Sequence, residues 1–397
     1  MGMELIAEIR RELMDQLSRG EEWTDQEIRE KIDDLVIQRT RKSTLTVTEK
    51  ARMGRELFYS VRKLDVLQEL LEDDSVTEIM VNGFQNIFVE RDGQRTRWEK
   101  SFTSREKLED VIQQIAGKCN RVINENQPIV DARLSGGQRV NAVVYPVALD
   151  GPVLTIRRFP NRPITMDWLI RKGSITREAA EFLEKAVRAG YSILIGGGTS
   201  SGKTTFLNAL SNYIPAGERL ITIEDNAELQ IQGVENLVRL EAKMANMEGN
   251  REITIRDLIR TALRMAPNRI VVGEIRGEEA IDLLQAWNTG HDGSMGTAHA
   301  NSSRDMISRV ETMVLMGMTL PLEAIRRQIA SGIDLMVHLG RLPDKSRRVL
   351  EITEVLGFEE GEVKLETLFG WDMDAGRLTK QGELVHREKM RKAGDEL

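Results

Sequence analysis

Apolar positions recur at helical spacing through the first sixty residues. Ile6, Ile9, Leu13 and Leu17 fall on one face. Thr24 with Glu27 reads as a capping box that opens a helix whose inner stripe is Ile28, Ile32 and Leu35. The remaining faces are charged, so residues 1–62 read as a helical region that either packs on the rest of the chain or docks a partner. Near residue 63 the pattern changes. Leu64, Leu67, Leu70 and Leu71 predict a helix, and residues 77–83 and 87–90 predict short strands. Thr103 with Glu106 predicts another capping box, ahead of a stripe of Leu108, Val111, Ile112 and Ile115. Strand-like segments follow at 129–134, 139–144 and 153–156, with a hairpin turn at Gly136-Gly137. Residues 63–158 thus read as an α+β domain, and 159–163, with two prolines and no periodicity, as a linker. Beyond it helices alternate with apolar runs at 192–195, 220–223, 269–272 and 295–299, the signature of a largely parallel α/β sheet over 164–340. Residues 341–397 read as a strand/helix extension that includes an alternating run at 349–355, with fraying expected over 389–397.

Of the 397 residues, 40% are hydrophobic and 30% charged, enough apolar content for real cores and against wholesale disorder. No apolar run approaches the roughly 18 residues of a membrane helix. Glu4, Glu8, Arg10 and Arg11 interrupt what would be the apolar stretch of a signal peptide, and Ile6 stands where a myristoylation signal has Ser or Thr. One cysteine, Cys119, excludes an intrachain disulfide and a cysteine zinc site, so a reduced, cytoplasmic setting is expected. The net charge of -7 weighs against a dedicated nucleic-acid binder.

The chemistry begins at residues 197–204, GGTSSGKT, which match G-x-x-x-x-G-K-[ST] between a predicted strand and a predicted helix. Gly197, Gly198, Thr199, Ser200, Ser201 and Gly202 give backbone N–H groups access to phosphate oxygens, and the following helix N-terminus adds positive potential. Lys203 is expected to reach the β- and γ-phosphates of ATP, and the Thr204 hydroxyl, followed by Thr205, to ligate Mg²⁺. Hydrolysis also needs carboxylates, and two strands deliver them at their C-terminal ends: Glu224-Asp225 after 220–223, and Gly273-Glu274 after 270–272. Gly273 stands where a Walker B strand usually carries Asp, so Glu274 takes that load and is the expected carboxylate for Mg²⁺. Which of Glu224 and Glu274 is the base stays open. His291 and His299 lie in a glycine-rich stretch without cysteine. That suits sensing of the γ-phosphate better than metal binding.

The phosphate loop, the segments 223–229 (IEDNAEL), 272–277 (VGEIRG) and 290–294 (GHDGS), and His299-Ala-Asn301 together resemble the type II/type IV secretion ATPase superfamily. They match its Walker A, aspartate, Walker B and histidine boxes. Within it, 76–83, 128–133, 139–142, 154–159 and 288–293 look most like the CpaF branch, the tight-adherence (Flp-type) pilus assembly ATPases. Departures are Asn268 for Asp, Gly296 for Ser and Lys243 for Arg. The resemblance implies a RecA-like P-loop ATPase domain preceded by a smaller α+β domain, assembled as a homohexamer. It implies ATP bound between the two domains, with Arg133, Arg139, Arg157 and Arg158 as candidates to complete the phosphate site. Interdomain or surface salt bridges are the competing role for these four, and Arg276 is a further candidate from the Walker B segment. It also implies a motor acting on an inner-membrane platform protein from the cytoplasmic face, without direct nucleic-acid contact. A conjugation or DNA-transfer ATPase is the alternative, and a RecA-like nucleic-acid translocase a more distant one.

Overall fold

The computed structural model describes residues 2–17, 23–41, 43–91, 93–158, 164–243 and 252–394. The expected linker at 159–163 lies outside them. The helical stripes of the N-terminal region become α1 (Gly2–Leu17), α2 (Asp25–Thr40) and α3 (Val47–Arg62). They close on a small core of their own, with Ile9, Leu13, Ile28, Ile32, Leu57 and Phe58 almost wholly buried. The Thr24–Glu27 capping box opens α2, and a second one, Thr46–Glu49, opens α3. Next come α4 (Leu67–Glu72), β1 (Val76–Asn82), β2 (Ile87–Arg91), β3 (Gln94–Arg97), α5 (Arg105–Lys118), β4 (Ile129–Arg133), β5 (Arg139–Val143) and β6 (Val153–Arg157). The strands form one antiparallel sheet in the order β3-β2-β1-β6-β5-β4. α5 starts one residue later than the Thr103 cap predicted. Ser104, not Thr103, has its hydroxyl three residues ahead of an open N–H, and accepts from Lys107 N at 3.2 Å.

The second unit, Arg162–Leu397, runs α6 (Met166–Arg171), α7 (Arg177–Arg188), β7 (Ile193–Gly197), α8 (Lys203–Ser211), β8 (Arg219–Glu224), β9 (Asn236–Glu241), α9 (Ile255–Ala262), β10 (Arg269–Ile275), α10 (Glu279–Asn288), β11 (Met295–Ala298), α11 (Ser303–Gly317), α12 (Leu322–Gly332), β12 (Leu335–Arg341), β13 (Arg347–Glu359), β14 (Glu362–Asp372), β15 (Arg377–Lys380) and α13 (Glu388–Ala393). Its sheet reads β15-β14-β13-β12-β7-β11-β10-β8-β9. From β12 through β9 the pairs are parallel, and from β12 through β15 antiparallel. One face packs with α7, α8 and α13 and the other with α9 to α12, so the buried parallel strands are apolar on both sides. The extension expected after residue 341 includes β13–β15, which continue this same sheet. The end expected to fray is helical over 388–393, with Met390 buried.

Candidate active site

Parallel strands point their C-terminal ends the same way, and here those ends carry the predicted chemistry. Register fixes the alignment: Ala298 lies opposite Gly196, Leu339 opposite Gly197, and Val272 opposite Ile223. Gly197, Glu224, Glu274 and His299 thus emerge along one edge. The loop from Gly198 to Gly202 turns there into α8. Gly202 sits at φ +95°, a conformation open to glycine, and a Cβ on Gly197 would fall 2.5 Å from Ser201 Oγ and 2.6 Å from the Leu339 carbonyl oxygen. Ser201 is buried, and its hydroxyl has no hydrogen-bond partner among the described residues. Thr204 and Thr205 begin the first turn of α8. Lys203 is 7% exposed and donates to the carbonyls of Gly197 (3.1 Å) and Gly198 (3.2 Å). Burial holds its pKa below the ordinary lysine value, against the pull of Glu274.

The two carboxylates sit in different environments. Glu224 is 2% exposed. Its Oε1 accepts from Glu228 N (2.8 Å) and Leu229 N (2.9 Å), while its buried Oε2 finds no hydrogen-bond partner among the described residues. Burial pushes its pKa up to about 7, against the lowering effect of the two backbone donors. Gly273 explains itself here: a Cβ at that position would stand 3.0 Å from Glu224 Cγ. The departure from the usual Walker B Asp leaves room for the buried carboxylate next door. Glu274, by contrast, is surrounded by donors. Its Oε1 accepts from His299 Nε2 at 2.7 Å and lies 3.9 Å from Lys203 Nζ, and its Oε2 is held by Arg276. Arg276 also reaches Asp225 at 2.9 Å. The arginine expected on phosphate is here a bracket between the acids that follow β8 and end β10. Thr297, which the sequence reading passed over, donates to the Gly273 carbonyl at 2.7 Å and fixes the end of β10. A hydroxyl interrupting an apolar strand was the available signal.

The histidines part company. His299 bridges Lys203 (3.4 Å from Nδ1) and Glu274. Burial, then the neighbouring Lys203, lowers its pKa, so the ring is neutral at pH 7, and these partners assign Nε2 as donor and Nδ1 as acceptor. His291 precedes β11 and is not brought to the phosphate loop. Met295 pairs with Ile193 at the start of β7, so His291 lies at the opposite edge of the sheet, a strand length of roughly 13 Å away. Its Nδ1 meets the Ala286 carbonyl at 3.1 Å, closing the end of α10. The eight-residue spacing that suggested a pair spans the whole strand.

In the first unit, the four predicted arginines divide as well. Arg133 pairs with Arg139, and Arg139 with Arg157, directly across three neighbouring strands. Their side chains share one face of that sheet, and Arg133 Nε donates to the Gly137 carbonyl at 3.1 Å. Arg158 points to the other face and is buried. Its guanidinium donates to the carbonyls of Leu70, Asp73 and Val76 and pairs with Asp74. It ties α4 to β1 and is built into the core, contrary to the phosphate role expected of it.

A two-sided, largely parallel sheet with a phosphate loop after its central strand, β7, and acids at the ends of two further parallel strands, β10 and β8, defines a RecA-like P-loop ATPase domain. The chain belongs to the type II/IV secretion system protein family, whose model matches residues 61–369. It is a secretion-family ATPase. Among its relatives are a Mycobacterium tuberculosis protein named for conjugal transfer, 37% identical over 319 residues covering 78% of this chain and 89% of that one, and the type IV secretion system protein PtlH of Bordetella pertussis, 34% identical over 315 residues covering 73% and 93%. The fold is shared with the pilus retraction motor PilT in its ADP complex (TM-score 0.52, 20% identity, 83% of this chain and 86% of that one). It is shared too with the Legionella pneumophila ATPase DotB (TM-score 0.51, 20% identity, 74% and 80%).

Proposed function

We propose that this ATPase is a motor of the CpaF type, a homohexameric ring that powers pilus assembly or secretion by acting on an inner-membrane platform protein. The observation that carries the catalytic part is the pair of contrasting carboxylates. Glu224, with a buried, unpartnered Oε2 and a pKa near neutrality, is the general base. It takes the proton of the attacking water as the bond between γ-phosphorus and the ADP oxygen breaks. Glu274, held by His299 and Arg276, is the fixed charge beside Lys203. The Thr204 hydroxyl and Glu274 offer hard oxygen donors for Mg²⁺. No cluster of three metal-ligating side chains exists among the described residues, which fits an ion that takes most of its ligands from phosphate and water. When bound, Mg²⁺ neutralises charge on the transferring phosphoryl group. The Arg133–Arg139–Arg157 row supplies guanidinium groups suited to the same charge. No described helix is long and apolar enough to cross a membrane, which supports peripheral attachment.

The relatives named for conjugal transfer favour a second reading, a DNA-transfer ATPase of the same family. The test is steady-state ATP hydrolysis against protein concentration, with Lys203→Ala as control and with DNA added in a parallel series. Specific activity that rises with concentration, depends on Lys203 and ignores DNA supports the ring motor. DNA stimulation supports the second reading, and no Lys203-dependent hydrolysis at any concentration overturns both.

A further inference from the structure

β8 carries two buried polar atoms that nothing in its surroundings answers. One is Glu224 Oε2. The other is the hydroxyl of Thr222, two residues earlier, which is 1% exposed and finds no hydrogen-bond partner among the described residues. An unpaired hydroxyl destabilises a core that valine would fill in the same shape. Its place on the strand shows what it could serve.

Side chains two apart on a strand share a face, so Thr222 and Glu224 lie on one side of the sheet. Leu220, two residues before Thr222, is buried in one core with Phe206, Leu207 and Leu210 of α8, and so is Val271, opposite Thr222 on β10. Ile221 and Ile223 belong to the core on the other side. Both unanswered atoms therefore sit under α8, on the face that ends at the phosphate loop.

The carboxylate is not free to turn back onto Thr222. Glu228 N and Leu229 N hold its Oε1. The loop that carries them is pinned in turn: Asn208 of α8 accepts from Gln230 N at 2.8 Å, and Arg239 of β9 donates to the Leu229 carbonyl at 2.9 Å. Two residues of strand span roughly 6.6 Å, and a water that bridges two oxygens holds them roughly 5 Å apart. The interval suits one water, which a hydroxyl and a carboxylate oxygen together satisfy.

We propose that Thr222 is a positioning residue for the base, its hydroxyl holding Glu224 Oε2 through one bridging water so that the carboxylate keeps a fixed orientation. The proposal rests on the reading of Glu224 as general base and gives that base a second support. A donor on Oε2 favours the ionised carboxylate, the form that accepts a proton, and so works against burial. The charged groups around Glu224 are Glu228 in the following loop, Arg239 and Glu241 of β9 and, at the same edge of the sheet, Lys203 of α8 and Glu274 of β10. Substituting Thr222 leaves all of them in place.

The test is the pH profile of ATP hydrolysis by the full chain, with binding of a fluorescent ADP measured in parallel. Thr222→Val moves the midpoint of kcat/KM up by about one pH unit, the size expected for loss of a hydrogen bond to a charged group. Activity then falls about tenfold at pH 6, stays within twofold at pH 9, and ADP binding changes less than twofold. Thr222→Ser restores the wild-type midpoint. Thr222→Ala shows the same upward shift should the valine variant fold poorly. An unmoved midpoint in the valine and alanine variants, with or without a uniform loss of rate, would overturn the proposal and leave Thr222 a packing residue. A serine variant that shifts as far as the valine variant would overturn it too, because the hydroxyl would then not be the cause. Failure of the underlying reading looks different: Glu224→Gln would retain hydrolysis.

Discussion

Replacing Glu224 by Gln separates burial from chemistry in one variant. The amide keeps an oxygen for the N–H groups of Glu228 and Leu229 and cannot ionise. Burial raises the Glu224 pKa from 4.5 to about 7. Between those values the folded state holds a proton that the unfolded chain has released, so stability falls as pH rises through this window and is flat above it. At about 1.36 kcal/mol per pH unit, the ionised carboxylate costs the fold about 3 kcal/mol at pH 8. Glu224→Gln removes that cost. The stability difference between variant and wild type should therefore widen by about 3 kcal/mol from pH 4.5 to pH 8, whatever constant offset the amide introduces. For a unit the size of residues 162–397 this is a widening of roughly 6–12 °C in Tm, read from paired thermal melts at fixed protein concentration. The same variant loses hydrolysis while still binding ATP. Wild-type kcat/KM rises with pH through about 7 and levels off, because the base must be ionised to accept a proton. A melting difference that stays constant from pH 5 to 8 would refute the burial argument. Hydrolysis retained in the variant would refute the assignment of the base.

Gly273→Ala places a methyl group 3.0 Å from Glu224 Cγ, and backbone donors pin that carboxylate, so stability falls by about 1–3 kcal/mol and turnover drops with ATP affinity preserved, as denaturant titration and single-turnover kinetics will read. Arg158→Ala strips a buried cation from three carbonyls and costs the first unit about 2–4 kcal/mol in urea unfolding, whereas Arg157→Ala, at an exposed position, stays within about 0.5 kcal/mol and lowers turnover instead. His299→Ala unlinks Lys203 from Glu274 and reduces kcat more than it weakens nucleotide binding. His291→Ala, at the far edge of the sheet, leaves kcat within a factor of about two when the intact ring is assayed.

What the sequence disclosed and what it withheld differ by how the chemistry is assembled. The phosphate loop is contiguous, and each of its residue types has a local reason, so it reads directly from the chain. The strands ending in Glu224 and Glu274 were legible because buried parallel strands are apolar runs. The edge strands β3, exposed along its whole length, and β9, partly exposed, carry no such run and were missed for the converse reason. The antiparallel strands after residue 341 looked like an extension because alternation reports a strand without reporting which sheet it joins. The row of Arg133, Arg139 and Arg157 exists only in the register of three strands, and Arg158, next in sequence, was grouped with it although adjacent strand residues face opposite ways. The roles of the two acids were likewise invisible, since both end apolar strands and only burial distinguishes them. Gly273 joins these levels. In sequence it is a departure from the usual Asp. In the fold it is the space that lets β8 bury a carboxylate beside β10. Asp there would place a second acid against Glu224, raising its pKa further and pushing ionisation beyond neutral pH. A glycine on one strand and a buried carboxylate with a near-neutral pKa on the next therefore belong together, because the space beside Gly273 is what the Glu224 side chain occupies.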